Sequence, residues 1–129
     1  MTLSRDESKV REGSTPSLIF QLYTEDRDGK LTKMLLADLS TLVLDYWDNT
    51  STGTINSRAD QNVKNANNVT VSATGEVKWT LQVADTTIQG STLSDGDLEL
   101  HYAVFKWTTT GSLTDNIRQA IYVIQESKV

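Results

Sequence analysis

The sequence predicts an all-β chain, a sandwich of about seven to eight short antiparallel strands. Three observations predict it. Thr, Ser and Asn are abundant and clustered at 49–54, 61–68 and 108–112; branched Thr suits a pleated, half-solvated surface, while Asn and Ser suit turns. No window keeps the Ala, Leu, Glu, Lys and Gln composition of a long helix for more than about two turns. Apolar alternation recurs, with turn signals at steps of about ten residues.

The first sixteen residues are polar, running from Thr2, Ser4, Arg5 and Asp6 to Glu12-Gly13-Ser14-Thr15-Pro16. Residues 1–16 are expected to form an arm that orders on a neighbouring subunit, ahead of a sandwich domain over 17–129. Within the arm, Lys9-Val10-Arg11 suits a first edge strand, and Pro16, which has no N–H to donate, suits a strand entry. Over 17–24, Leu18, Phe20 and Leu22 share one face. Asp28-Gly29 marks a hairpin turn, and 31–39 reads as a short extended piece and a helical turn. Over 41–48, Leu42, Leu44 and Tyr46 point one way and Val43, Asp45 and Trp47 the other.

A polar stretch with a short strand near 54–56 follows, then strands at 69–72 and 77–83. In the latter, Val77, Trp79, Leu81 and Val83 alternate strictly with Lys78, Thr80 and Gln82. A helical turn is expected within 84–92 and a tight turn at Asp95-Gly96. The longest strand covers 97–108. Its apolar residues begin on Leu98, Leu100, Tyr102 and Val104 and then move to Phe105 and Trp107, which predicts a bulge or coverage of both faces near its end. Residues 117–125 close the domain.

Composition removes several function classes. Seventeen acidic residues against twelve basic ones give a net charge of −5, so no basic patch for tracking phosphates is expected, nor a nucleic-acid partner. Without Cys there is no disulfide framework, thiolate zinc site or cysteine nucleophile. The single histidine, His101, rules out a two-His metal centre. No apolar run approaches the roughly 20 residues of a membrane span, and 1–12 lacks the apolar core of a signal peptide. No cofactor and no membrane partner are expected, and synthesis is expected in the cytoplasm.

The remaining candidates are few. Asp26-Arg27-Asp28-Gly29 is a fragment of a calcium loop, but the twelfth position, where such a loop needs a bidentate Glu, is Ala37. It reads as an acidic hairpin turn. His101 has no recognisable nucleophile and orienting acid at triad spacing and reads as a hydrogen-bonded structural residue. Asp45 and Asp48 flank Trp47 but read as solvent-facing rather than as a glycosidase pair. The most informative set is aromatic: Trp47, Trp79 and Trp107 with Tyr23, Tyr46, Tyr102 and Tyr122. Trp79 lies on the apolar parity of its strand and reads as core. Trp47 and Trp107 are expected to anchor an interface, where Trp and Tyr are enriched. An exposed Trp/Tyr surface also suits a small carbohydrate-binding module, because aromatic faces match sugar rings.

The order of elements adds a resemblance. Glu12-Gly13-Ser14-Thr15 leads into Leu18-Ile19-Phe20-Gln21-Leu22, and Asp28-Gly29-Lys30 precedes Leu39-Ser40-Thr41-Leu42-Val43-Leu44. Then come Val69-Thr70-Val71, Thr74-Gly75-Glu76-Val77-Lys78-Trp79, Gly96-Asp97-Leu98-Glu99-Leu100-His101-Tyr102 and a last strand at 121–125. Over about residues 8–126 this order resembles the immunoglobulin-like domains of tailed-phage virions and is similar to the amino-terminal domain of phage baseplate upper proteins. The resemblance implies an immunoglobulin-like sandwich and a non-enzymatic virion component. Such a component binds other virion proteins of the tail or fibre base, neck or capsid, in many copies. The chain ends about four residues after its last strand, which favours an adaptor, cement or decoration protein over direct receptor binding. Leu3, Val10 and Pro16 in the arm, with Trp47 and Trp107, are the expected interface residues.

Overall fold

The computed structural model describes residues 7–25, 28–48, 53–90 and 96–125. Their strands are β1 (Glu7–Arg11), β2 (Ser17–Gln21), β3 (Tyr23–Glu25), β4 (Leu31–Lys33), β5 (Leu39–Asp48), β6 (Gln61–Asn62), β7 (Val69–Val71), β8 (Glu76–Thr80), β9 (Leu98–Thr109) and β10 (Thr114–Ile124). Of two 3-10 turns, Leu36–Asp38 falls where a helical turn is expected, while Val83–Asp85 starts one residue early, inside the stretch expected to be strand, so that β8 is shorter than expected. Leu3 lies outside the described residues, as do Asp26, Arg27 and Asp95 of the two acidic turns.

Two sheets form the layers. The large sheet has five strands in the order β1-β10-β9-β5-β6, the small sheet three in the order β2-β8-β7, and β3-β4 is a separate hairpin. Counting β1, β2, β5, β7, β8, β9 and β10 as the seven strands of the sandwich, the second, fourth and fifth share one layer, while the third, sixth and seventh share the other with the first at its edge. That is the strand distribution of an immunoglobulin-like sandwich, with β6 as an added edge strand. β1 runs parallel to β10, Glu7 opposite Ala120 and Arg11 opposite Ile124, so the otherwise antiparallel sandwich has one parallel edge.

An aromatic seam joins the layers. The rings of Phe20 on β2 and Phe105 on β9 have centroids 5.0 Å apart. Trp79 on β8 meets Phe105 at 5.6 Å and Tyr46 on β5 at 5.2 Å, both edge-on, the geometry that suits a ring quadrupole. The Phe20–Phe105 pair links the two strands that carry the inter-sheet disulfide in antibody domains, in a chain that has no cysteine. Leu42, Leu44, Val77, Trp79 and Leu81 are fully enclosed around it. Each such side chain contributes about 1.5–3 kcal/mol by leaving water.

One turn is locked by backbone geometry. Gly75 sits between β7 and β8 at φ +83°, donating no side chain to a space taken by the Met34 carbonyl and the Gln21 amide. Leu22 N–H donates to the Gly75 carbonyl at 2.9 Å and the Gln21 amide to the Thr74 carbonyl at 2.7 Å. The turn therefore clamps the small sheet onto the β2–β3 junction.

Three expectations are corrected. Residues 7–16 belong to the sandwich rather than to a free arm. Besides β1, Glu12 N–H donates to the Ile124 carbonyl at 3.0 Å, Gly13 N–H to the Thr86 carbonyl at 3.1 Å and Leu81 N–H to the Pro16 carbonyl at 2.9 Å. An edge strand tolerates the polar sequence that suggests an arm. β9 keeps a single parity, with an unbroken register against β10 from Leu98 to Thr108. Its inward residues are Glu99, His101, Ala103, Phe105 and Trp107, so the apolar run at its start faces outward and two ionisable residues face inward. The strand expected near 54–56 shrinks to a single bridge between Thr54 and Trp47, and the paired segment is β6.

Candidate functional site

The two faces of the large sheet carry different chemistry. Inward, at the end of β9 nearest Leu98, polar side chains fill the space where sheet gives way to loop. Tyr46 Oη donates to the Asp85 carbonyl at 2.8 Å and lies 2.9 Å from His101 Nδ1. His101 Nε2 faces Glu99 Oε1 at 2.6 Å. The Glu99 carboxylate also accepts the N–H groups of Gln89 and Gly90, each at 2.7 Å. Beside this chain, Asp85 takes Arg58 Nε at 2.6 Å and Nη2 at 3.0 Å, with Gln82 N–H at 2.8 Å. Burial first, then the neighbouring carboxylate of Asp85, hold the Tyr46 hydroxyl well above the usual phenol range.

Glu99, His101, Tyr46, Arg58 and Asp85 are each at most 2 % exposed. No substrate reaches such groups without opening the fold. Their work is to satisfy loop backbone and one another, because an unpaired polar group there costs several kcal/mol. His101 is thus hydrogen-bonded core, with partners that sequence spacing does not bring together.

The outward face is assembled from three strands. Trp47 on β5 stands directly across from Tyr102 on β9, their ring centroids 5.8 Å apart at 37°. Across from Tyr102 on β10 is Ala120, too small to cover the ring. Arg118, two residues earlier on the same face, lies over both rings instead. Its guanidinium carbon is 5.3 Å from the Tyr102 centroid and 5.9 Å from that of Trp47. Both rings are half-buried and Arg118 is exposed.

A charged border flanks the patch. Lys106 on β9 reaches Asp45 at 2.8 Å and Asp60 at 3.1 Å, and Asp60 N–H donates to Asp45 at 2.7 Å. Burial alone would raise the Asp45 carboxyl. The hydrogen bonds from Lys106 and from Asp60 N–H, with the charge of Lys106, outweigh it and hold the group below its usual value. The same carboxylates hold the Lys106 ammonium above its usual value. Between patch and border lies a hollow of about 410 Å³ that Trp47, Thr54, Val104 and Lys106 help to line.

Of the expected interface residues among those described, only Trp47 stands on this face. Val10 and Trp107 are core, 7 % and 8 % exposed, and Pro16 is half-buried beside β8. Asp45 points outward and Asp48 inward, so they do not form a carboxylate pair. Arg118 and Tyr102 complete the patch. Tyr102 belongs to the aromatic set visible in sequence, whereas Arg118 is marked only by sharing the parity of Ala120 and Tyr122 on β10. Among the described residues no group of three or more His, Asp or Glu side chains gathers where a metal ion would sit.

No family model matches the chain, and no curated protein matches it. Among solved structures, murine CRIg aligns over 95 % of this chain and 94 % of its own, at 10 % identity and a TM-score of 0.36. The sandwich architecture stands on the strand order and the inter-sheet contacts described above.

Proposed function

We propose that this chain is a non-catalytic docking module, a tailed-phage virion component present in several copies, which binds another virion protein through the outer face of its large sheet. The observation that carries the docking reading is Arg118 spread over Trp47 and Tyr102 on a solvent-facing sheet. Trp, Tyr and Arg dominate the energetics of protein interfaces, and an Arg over aromatic faces brings an interaction of about 0.5–2 kcal/mol that strengthens as water leaves. The Lys106–Asp45–Asp60 border supplies charges of both signs at the rim, where they orient a partner more than they hold it. The virion role itself rests on the resemblance in element order.

The test is co-expression with the products of the neighbouring genes, followed by sizing chromatography and titration. The expected result is a complex whose affinity falls at least about 30-fold on Trp47→Ala or Arg118→Ala, the 2 kcal/mol or more of a hot spot. A complex indifferent to both substitutions, or no complex with any neighbour, contradicts the proposal. So does a Trp47-dependent fluorescence change on adding oligosaccharides, which would make the patch a sugar platform.

A further inference from the structure

At the end of β9 and β10 remote from Glu99, the two layers gape. The inward parity of β10 passes Val123, Ile121, Gln119 and Ile117 and then reaches Asp115. Asp115 is directly across from Trp107. The β3-β4 hairpin makes the facing wall. Two adjoining hollows of about 230 and 380 Å³ open there, and the residues common to both are Tyr23, Glu25, Trp107 and Asp115. Leu31, 58 % exposed, extends the wall of the larger one.

The charges are one-sided. Glu25 and Asp115 line both hollows and, among the described residues, no Lys or Arg lines either; Lys33, across from Tyr23 on the hairpin, stays outside. An apolar side chain would serve the core better than a carboxylate at the inward position beside Trp107. Two aromatic rings and two carboxylates around an apolar hollow are the complement of a cation with an apolar stem. A guanidinium suits this best, since it stacks on rings and takes carboxylates in a planar fork.

We propose that this cleft receives an arginine side chain of a partner protein, its stem against Trp107, Tyr23 and Leu31 and its guanidinium between Asp115 and Glu25. The probe is a capped Gly-Arg-Gly peptide, with capped Gly-citrulline-Gly as the uncharged counterpart. The readout is the Trp107 indole N–H resonance, assigned with Trp107→Phe. A saturable shift is expected with the arginine peptide and none with citrulline. Asp115→Asn and Glu25→Gln, both at exposed positions, are each expected to weaken binding by a factor of about two to five. No saturable shift, an equal shift with citrulline, or affinities unchanged in both variants would overturn the proposal. Trp47→Ala leaves this shift in place, because Trp47 is on the outer face of the sheet, so the cleft and the outer patch stand or fall separately.

Discussion

Tyr46 and Trp47 are neighbours in sequence and face opposite ways from one strand, as do His101 and Tyr102 across from them. The inward pair is sealed, and every polar atom named there has a partner in loop backbone or in another buried side chain. The outward pair is half-open and lies beneath the exposed Arg118 side chain. The same strands thus carry two kinds of chemistry on their two faces. Inward polarity fixes the loops at one end of the sandwich, while the outward aromatics stay half-open beneath Arg118. Substitutions that split the two faces therefore separate stability from binding.

The largest expected loss is on the inward side. Asp85→Ala leaves the Arg58 guanidinium buried without its carboxylate and is expected to cost about 3–5 kcal/mol, read from urea unfolding. Replacing both partners, Arg58→Met with Asp85→Leu, is expected to cost clearly less than Asp85→Ala alone, because no unpaired charge remains. Phe105→Ala, which empties the seam between the layers, belongs to the same range, about 3–5 kcal/mol. Gly75→Ala is expected to cost more than about 1 kcal/mol, since φ is positive there and the Met34 carbonyl blocks the new methyl group.

On the outward side the expected cost is smaller. Trp47→Ala removes a half-buried ring and is expected to lower stability by about 1 kcal/mol while weakening the proposed complex at least about 30-fold. A Trp47→Ala variant as unstable as Asp85→Ala would dissolve the comparison, making the outer patch part of the folding core.

The inward face was only partly legible in the sequence. Alternation on 77–81 and 42–46 marks Trp79, Leu44 and Tyr46 as core because packed strands there obey a strict period of two, but the alternation that extends to Val83 fails, since the strand ends at Thr80 and Val83 starts a 3-10 turn, 55 % exposed. On β9 the same rule misleads. Leu98 and Leu100 lie on the outward parity, and Glu99 and His101 turn inward because the loop N–H groups of Gln89 and Gly90 need an acceptor. Such pairing joins residues ten apart across a loop, and no local pattern encodes it. The Arg58–Asp85 pair is hidden for the same reason. On the outer face Trp47 was legible from parity, but the position of Arg118 depends on strand neighbours and on the small Ala120 beside Tyr102. Lys9-Val10-Arg11 marks the edge strand β1, but one inward apolar residue, Val10, leaves too little periodic signal to separate 7–16 from a polar arm. A deletion through residue 12 consequently removes a strand as well as the segment before it.

The smallest expected effect is in the charged border. The Asp45 carboxyl is held below its ordinary value, so its contribution is present above the ordinary carboxylate range and disappears as pH falls through the lowered value. Lys106 is held above its ordinary value, so its contribution is complete below that value and disappears as pH rises through the raised one. Between these limits stability is expected to be flat with respect to this pair. With Lys106 45 % exposed, solvent screening keeps the pair at about 0–1 kcal/mol. Asp45→Asn is expected to remove that small acid-limb slope in unfolding curves from pH 2 to 6, leaving the larger fall from other carboxylates.

We propose above that the outer face of the large sheet docks a protein. Hydrogen–deuterium exchange on the chain, alone and in the complex with its neighbouring gene product, tests it most directly. New protection is expected in the peptides spanning 45–47, 100–104 and 116–122, and should vanish with Arg118→Ala. Protection confined to β2, β7 and β8, with those three segments exchanging as in the free chain, would contradict it.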